Sequence, residues 1–476
     1  MSDTAAQTEL DTESFVPWSE FLATRYASSL ALVCLAVWLH AADSLIVATM
    51  LPAMVAEIGG ASLIGWSISL YEIGSIVAGA ASALMAMRVG LRASMAITAL
   101  LFGAGCIVSA TAPTMPVVLV GRALQGIGGG GLVALGFVAV GVIFPRRYTA
   151  RAIAAVSMLW GMSAFLGPLI GGIAVEYSTW RWGFAFFAIQ AFALTLWIMF
   201  RSGREMSERG QGAGEFPLRR LALLCLAVVL VAFAGVEIGL LRTAMFAIGG
   251  LACLGIFLWL DGRATEDRLL PLRPFDMRKP VGAALWMIFS LAVATIAITA
   301  FGPLLLTAIH GLSALTVGYI VAASSIGWSV TAVLSSGSPE RYDGLLIGAG
   351  MSMVALSVAG FLYSVPNGPV WLVMIFSVIE GGGFGLAWTF ILRRVTGLAD
   401  RSEMHRISGA LPTVQRLGYA LGAAYIGIVA NASGLLTMET PGSAADVATR
   451  IFFACLPFAI LGLVATAMFL RHPART

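Results

Sequence analysis

The sequence predicts an all-α membrane protein of about fourteen transmembrane helices, built as two six-helix bundles with an extra two-helix hairpin between them. Three observations predict it. Of the 476 residues 59% are hydrophobic and 11% charged, too few polar side chains to cover a water-facing globule of that size. Apolar runs of about twenty residues, the length a helix needs to cross a ~30 Å hydrocarbon core, recur from end to end. Two polar stretches, RSGREMSERGQGAGEFPLRR at 201–220 and DGRATEDRLLPLRPFDMRKP at 261–280, separate those runs into six, two and six.

In chain order, an acidic tail at 1–27 has no basic region before its first apolar run, so it is expected to be a cytoplasmic tail and not a cleaved signal peptide. The first bundle, 28–200, holds spans at about 28–54, 63–86, 93–111, 116–143, 150–176 and 181–200. A linker at 201–218 leads to the hairpin, 219–261, with spans at about 219–240 and 243–261. A second linker, 262–279, precedes the second bundle, 280–471, with spans at about 280–308, 314–336, 343–364, 369–392, 405–431 and 446–471, and a short tail at 472–476. Parallel halves of six with a site between them are the layout of a rocking transporter. Internal similarity between the halves is weak: MRVGLR at 87–92 and ERYDGL at 340–345 are its best trace.

Orientation follows from arginine. Only Arg181, Arg242 and Arg450 fall in loops on one side, Arg122 and Arg416 fall inside spans, and the other basic residues lie on the opposite side or at its helix ends. Basic loops stay in the cytoplasm, so both termini are expected there, in the cytoplasmic (inner) membrane of a bacterium. Cys34, Cys106, Cys225, Cys253 and Cys455 sit singly in apolar spans with no paired spacing, which suits small hydrophobes better than metal ligands or disulfides. No metal, cofactor or nucleic acid is expected, and the protein is expected to act as a monomer.

Charge inside the spans carries the chemistry. An ionisable group costs at least a few kcal/mol near the bilayer centre, so it faces a cavity or a partner. Asp43, Glu72, Arg122, Glu380 and Arg416 are five such groups. At about 1.5 Å per residue, Asp43, Glu72 and Glu380 come out at similar depth, ~14–16 Å from the outer ends of their spans, and Arg122 at ~9 Å. Low dielectric disfavours an ionised carboxylate and a nearby guanidinium favours it. Moving Arg122 to and from Asp43 would thus load and unload a proton, whereas a static ion pair would only lock helices together. Glu72, on a span joined to the first by a short turn at Gly59 and Gly60, is expected to act with Asp43 as a second acid, with Arg122 deciding which of the two ionises. The alternatives for Glu72 are contact with a cationic substrate and a structural role. His40, three residues before Asp43, is a candidate relay or a packed interfacial histidine. Aromatic residues (Trp38, Trp66, Tyr71, Trp160, Trp286, Trp328, Phe384 and Trp388) suit an apolar cavity wall as a group. Tyr71, Trp160, Glu380 and Trp388 are the substrate-binding candidates among these residues.

ADSLIVATMLP at 42–52 resembles the first-helix signature of the fourteen-helix drug:proton antiporter branch of the major facilitator superfamily, close to LDxTIVxxALP, with Asp43 and Pro52 matching. GRALQGIGGGG at 121–131 is similar to its fourth-helix motif R-x-x-Q-G. GMSAFLGPLIGG at 161–172 is similar to its fifth-helix antiporter motif ending G-P-x-x-G-G. WRWGF at 180–184 and GWSISLY at 65–71 also fall where the family places W-R-W and W-x(4)-Y. The resemblance implies a proton-coupled exporter of hydrophobic or amphipathic small molecules, working by alternating access. It gives Gln125, Gly126, Gly167, Pro168, Gly171 and Gly172 the role of a conformational motif. Three departures stand out. The turn after the second span lacks the family's aspartate, Gln415–Arg416 stands in swapped order relative to R-Q, which rotates the arginine by about 100°, and Glu72 replaces an apolar residue.

Other functions remain to be weighed: a lipid or siderophore transporter on the same scaffold, a substrate:proton symporter, and a membrane-embedded enzyme or receptor. No H-E-x-x-H, G-x-S-x-G or G-x-x-x-x-G-K-[ST] occurs, which argues against an enzyme and against ATP-driven transport.

Overall fold

The computed structural model describes residues 19, 26–144, 146–201, 217–235, 238–264, 268–271, 273–335, 338–398 and 404–472. Most of the expected tails and the first linker, and Glu237 in the hairpin turn, lie outside these described residues. The first bundle comprises α1 (Ala27–Ile58), α2 (Ile64–Val89), α3 (Leu91–Ala110), α4 (Met115–Ile143), α5 (Arg146–Tyr177) and α6 (Trp180–Arg201). The hairpin is α7 (Leu218–Phe233) and α8 (Leu240–Arg263). The second bundle comprises α9 (Pro280–Ala300), α10 (Gly302–His310), α11 (Ala314–Ser335), α12 (Asp343–Asn367), α13 (Val370–Leu398), α14 (Met404–Ala432) and α15 (Pro441–Leu470).

Among the described residues, twelve stretches are long and apolar enough to cross a membrane, α9 and α10 counting together as Pro280–His310. The remaining two expected spans are α14, which carries Arg416, and α7, whose sixteen residues reach only ~24 Å. The span expected at 280–308 is broken at Phe301. Pro303, at the start of α10, has no N–H to continue the helical ladder, and its ring crowds the carbonyl of the preceding turn.

The repeat that is faint in sequence is plain in the packing. In the first half α2 and α3 flank α4, α3 packs on α6 and α1 on α5. In the second half α11 and α12 flank α13, α12 packs on α15 and α9 on α14, the same pairings in the same order. The halves meet along two seams, α2 with α14 and α5 with α11. At the first seam a β-carbon on Gly65 would lie 2.6 Å from the carbonyl oxygen of Ala423; at the second, one on Gly318 would lie 2.9 Å from that of Pro168. Since α2 begins where α14 ends, and α5 ends where α11 begins, the halves close together on the face carrying the α1–α2, α5–α6, α10–α11 and α14–α15 turns. α1 begins and α15 ends on the opposite, terminal face.

The hairpin was expected beside the bundle. In the structure α7 lies against both α2 and α14 at the turn-face end of their seam. Trp66 donates from Nε1 to the carbonyl of Ala232 (3.1 Å), and Asn431 donates from Nδ2 to the carbonyls of Gly235 (2.7 Å) and Ser62 (3.0 Å). At its base Asp261 accepts from Arg220 (2.7 Å) and from the backbone amides of Leu269 and Leu270 (3.0 and 2.9 Å). The far side of α8 exposes Leu241, Met245, Ile248, Leu251 and Trp259, side chains that suit contact with lipid acyl chains.

Candidate functional site

The site is built on α4. Its first turn carries Pro116, and Arg122 follows two turns in, almost wholly buried. Small residues bring its neighbours close: a β-carbon at Gly121 would strike Ser109 of α3, and one at Gly126 the backbone of Tyr71 on α2. The guanidinium of Arg122 therefore meets groups on α1, on α2 and on its own helix. Its NH1 donates to Asp43 Oδ2 on α1 (2.8 Å) and to Gln125 Oε1 (2.6 Å), its Nε points at the Ser67 carbonyl (3.5 Å), and its plane lies 4.0 Å from the centre of the Tyr71 ring. Gln125 donates in turn to Ser109 Oγ (3.3 Å), which fixes its carbonyl oxygen toward the arginine. Asp43 is fully buried, and its second oxygen, Oδ1, has no hydrogen-bond partner among the described residues.

Glu72 is not held by Arg122. Its Oε2 accepts from Arg416 NH1 (3.1 Å), a residue of the other half, and Arg416 NH2 reaches His40 Nε2 (3.0 Å). The expectation that Arg122 arbitrates between two neighbouring carboxylates gives way to two acids with an arginine each. The swapped Gln415–Arg416 order is what carries this: one position of helical rotation aims the guanidinium across the α2–α14 seam, while Gln415 turns to Tyr419 Oη (3.4 Å). His40 links the groups. Its ring stacks on Tyr71 at 5.3 Å, and the Tyr71 hydroxyl lies 2.9 Å from both His40 Nδ1 and the His40 carbonyl oxygen. A continuous polar chain thus runs Asp43, Arg122, Tyr71, His40, Arg416, Glu72.

Glu380 stands apart on α13. It is 3% exposed, its Oε2 accepts from Ser324 Oγ on α11 (3.2 Å), and its Oε1 has no partner among the described residues. It lines a small, water-sized pocket with Ile298, Thr299, Ile320, Val321, Ser324 and Ser377. Trp160 presents its edge to His40 at 5.9 Å and is 37% exposed, and Trp388 extends the stack of Trp328 and Phe384 (4.8 and 6.4 Å between successive rings). Trp38, Trp66 and Trp286 spend their indole N–H groups on Gln190, Ala232 and Phe275, as parts of the scaffold.

The fifth-helix residues serve both contacts of α5. Gly167 and Gly171 face α1 at Ala42, Ile46 and Thr49, next to Asp43, while Pro168 and Gly172 face α11 at Gly318 and Leu315. One helix therefore touches the acid-bearing helix on one side and the other half on the other. Sequence reasoning missed the Arg393–Asp343 ion pair at the terminal face of the second half. The aspartate in ERYDGL was its visible signal, at the position matching the turn that lacks one in the first half.

Comparison with known proteins agrees with this fold. The sequence model of the Major Facilitator Superfamily matches residues 33–423. A probable multidrug-efflux transporter of Mycobacterium tuberculosis (strain H37Rv) is 27% identical over 98% of both chains. The multidrug transporter protein MdtP of Bacillus subtilis is 23% identical over 84% of this chain and 74% of its own. Among solved structures, a bacterial homologue of the human lysosomal transporter Spinster, inward-facing and unoccupied, superposes with a TM-score of 0.68 at 15% identity, covering 94% of this chain and 99% of the other. A D-xylose–proton symporter superposes at 0.66, also at 15% identity, over 95% and 99%. The protein is a multi-pass membrane transporter in its fold and its relatives. It belongs to the Major Facilitator Superfamily.

Proposed function

We propose that the protein is a proton-coupled exporter that moves hydrophobic or amphipathic small molecules out of a bacterial cell by alternating access, as the names of its relatives suggest. The observation that carries the proton is the buried Asp43–Arg122 pair: one carboxylate oxygen is engaged by the guanidinium and the other has no partner. Protonating Oδ1 removes the negative charge that holds Arg122, and the return of Arg122 expels the proton. The pair sits beside α5, whose Pro168 and Gly172 contact the other half, so a shift at the pair has a short path to the seam. Tyr71, Trp160, Glu380 and Trp388 serve the substrate, and Gln125, Gly126 and the α5 glycines let the helices slide.

The protein lies in the cytoplasmic membrane as a monomer with both termini in the cytoplasm, as the arginine asymmetry supports. The α7–α8 hairpin lies in the bilayer with α8 toward lipid. The test is transport by inverted membrane vesicles with an imposed pH gradient, screened over dyes, antibiotics, lipids and siderophores. Gradient-dependent uptake of amphipathic compounds is the expected result; uptake of none, or uptake indifferent to the gradient, overturns the proposal.

A further inference from the structure

His40 carries information about protons that its position alone does not reveal. The Tyr71 hydroxyl owns one hydrogen and has two neighbours on His40, the backbone carbonyl and Nδ1, each at 2.9 Å. A carbonyl only accepts, so the hydroxyl donates there, and its oxygen is left to accept from Nδ1. Nδ1 therefore bears the hydrogen. On the other side of the ring Nε2 faces Arg416 NH2 at 3.0 Å, and a guanidinium only donates, so Nε2 presents its lone pair. These partners define a neutral imidazole of one tautomer.

That lone pair is also the only place on this ring where a further proton can bind. We propose that His40 Nε2 is a proton-binding site whose occupancy excludes the Arg416 contact, so that a proton arriving there releases the bridge between the two halves. This rests on the proton-coupled reading given above. Among the described ion pairs, Arg416–Glu72 is the one that joins the halves, and the same guanidinium holds His40 with its other terminal nitrogen. A protonated ring would face Arg416 with N–H against N–H and positive against positive charge. Arg416 then withdraws from both partners. In the step the proton passes from hydronium to the ring: an O–H bond breaks as the N–H bond forms at Nε2, and water is left.

Among the described residues, Tyr71 of α2 touches the ring, Glu72 of α2 is tied to it through Arg416, Asp43 lies one turn along α1, and Arg122 of α4 lies behind the Tyr71 ring. Arg416 comes from α14. From α5 the facing group is the uncharged, partly exposed edge of Trp160, and α4 packs against the ring with Gly129.

The test uses the full-length chain with its five native cysteines replaced and spin labels at Ala56→Cys and Leu436→Cys, exposed positions on the turn face, one in each half. Between pH 8 and 5.5 the ratio of long to short label distances is expected to rise with acidification, by at most tenfold per pH unit for one linked proton. His40→Gln, which keeps an acceptor for Arg416 and cannot take the proton, is expected to lose the parent's response to acidification. A His40→Gln response equal to that of the parent, or a parent that does not respond, overturns the proposal. If His40→Gln does not fold, ¹⁵N spectra of histidine-labelled parent protein at pH 8 decide: the Nδ1–H tautomer at His40 is expected, and the Nε2–H tautomer overturns the assignment. These distances need neither substrate nor gradient, so failure here is separable from failure of the transport reading, which appears as absent flux.

Discussion

Replacing Glu72 by glutamine keeps the shape of the side chain and removes the charge that draws Arg416 across the seam. The two side chains are 12% and 20% exposed, so solvent screens the pair in part. A fully buried pair broken from one side costs about 3–5 kcal/mol, and a hydrogen bond to a charged group contributes about 1.5–3 kcal/mol. With screening, and with His40 still accepting from Arg416, the arrangement closed at the turn face should lose about 1–3 kcal/mol relative to the separated one. That is roughly a 5- to 150-fold shift in their ratio. The assay is the distance distribution between labels at Ala56→Cys and Leu436→Cys at pH 8, for the parent, Glu72→Gln, Arg416→Gln and the double variant. Glu72→Gln should populate longer distances, and the double variant should be displaced less than the summed effect of the singles, because each single change leaves a charge without its partner. A parental distribution in Glu72→Gln, or strict additivity of the two changes, would refute the reasoning.

Two further outcomes follow from the same geometry. Gly126→Ala sets a methyl group against the Tyr71 backbone, an overpacking that costs about 1–3 kcal/mol; the purified protein should melt several degrees lower, and an unchanged melting temperature would contradict the close α2–α4 contact. Glu380→Gln should weaken binding of organic ammonium compounds roughly ten- to hundredfold, the worth of a charged hydrogen bond, and leave uncharged compounds of similar size alone. Equal loss for both classes would mean that Glu380 supports the cavity rather than the charge of its occupant.

The spans were legible because a hydrocarbon solvent demands long apolar helices, whatever the tertiary arrangement. Their interruptions were less so. Pro303 was visible, but an apolar run reads the same across 280–308 whether or not the ladder breaks at Phe301. Asp43 and Arg122 could be paired in advance because both sit in recognisable motifs and each needs a counter-charge. The partner of Glu72 could not be found that way: Arg416 lies 344 residues away in the other half, and only the packing of α2 on α14 brings them together. For His40 the sequence left a relay and a packed histidine both open, because its meaning lies in which nitrogen faces which donor. The repeat was hidden for a related reason, since equivalent helices keep their neighbours while exchanging nearly every side chain.

The central claim is that Asp43 exchanges a proton against Arg122, and the measurement closest to it is substrate flux through Asp43→Asn in sealed inverted vesicles, with and without an imposed pH gradient. Asparagine keeps the volume and an oxygen for Arg122 and cannot take up or release the proton. The account predicts that this variant is inserted at the parental level and equilibrates substrate down its own gradient, yet fails to accumulate substrate when a proton gradient is applied. Accumulation by Asp43→Asn at the parental level would contradict it.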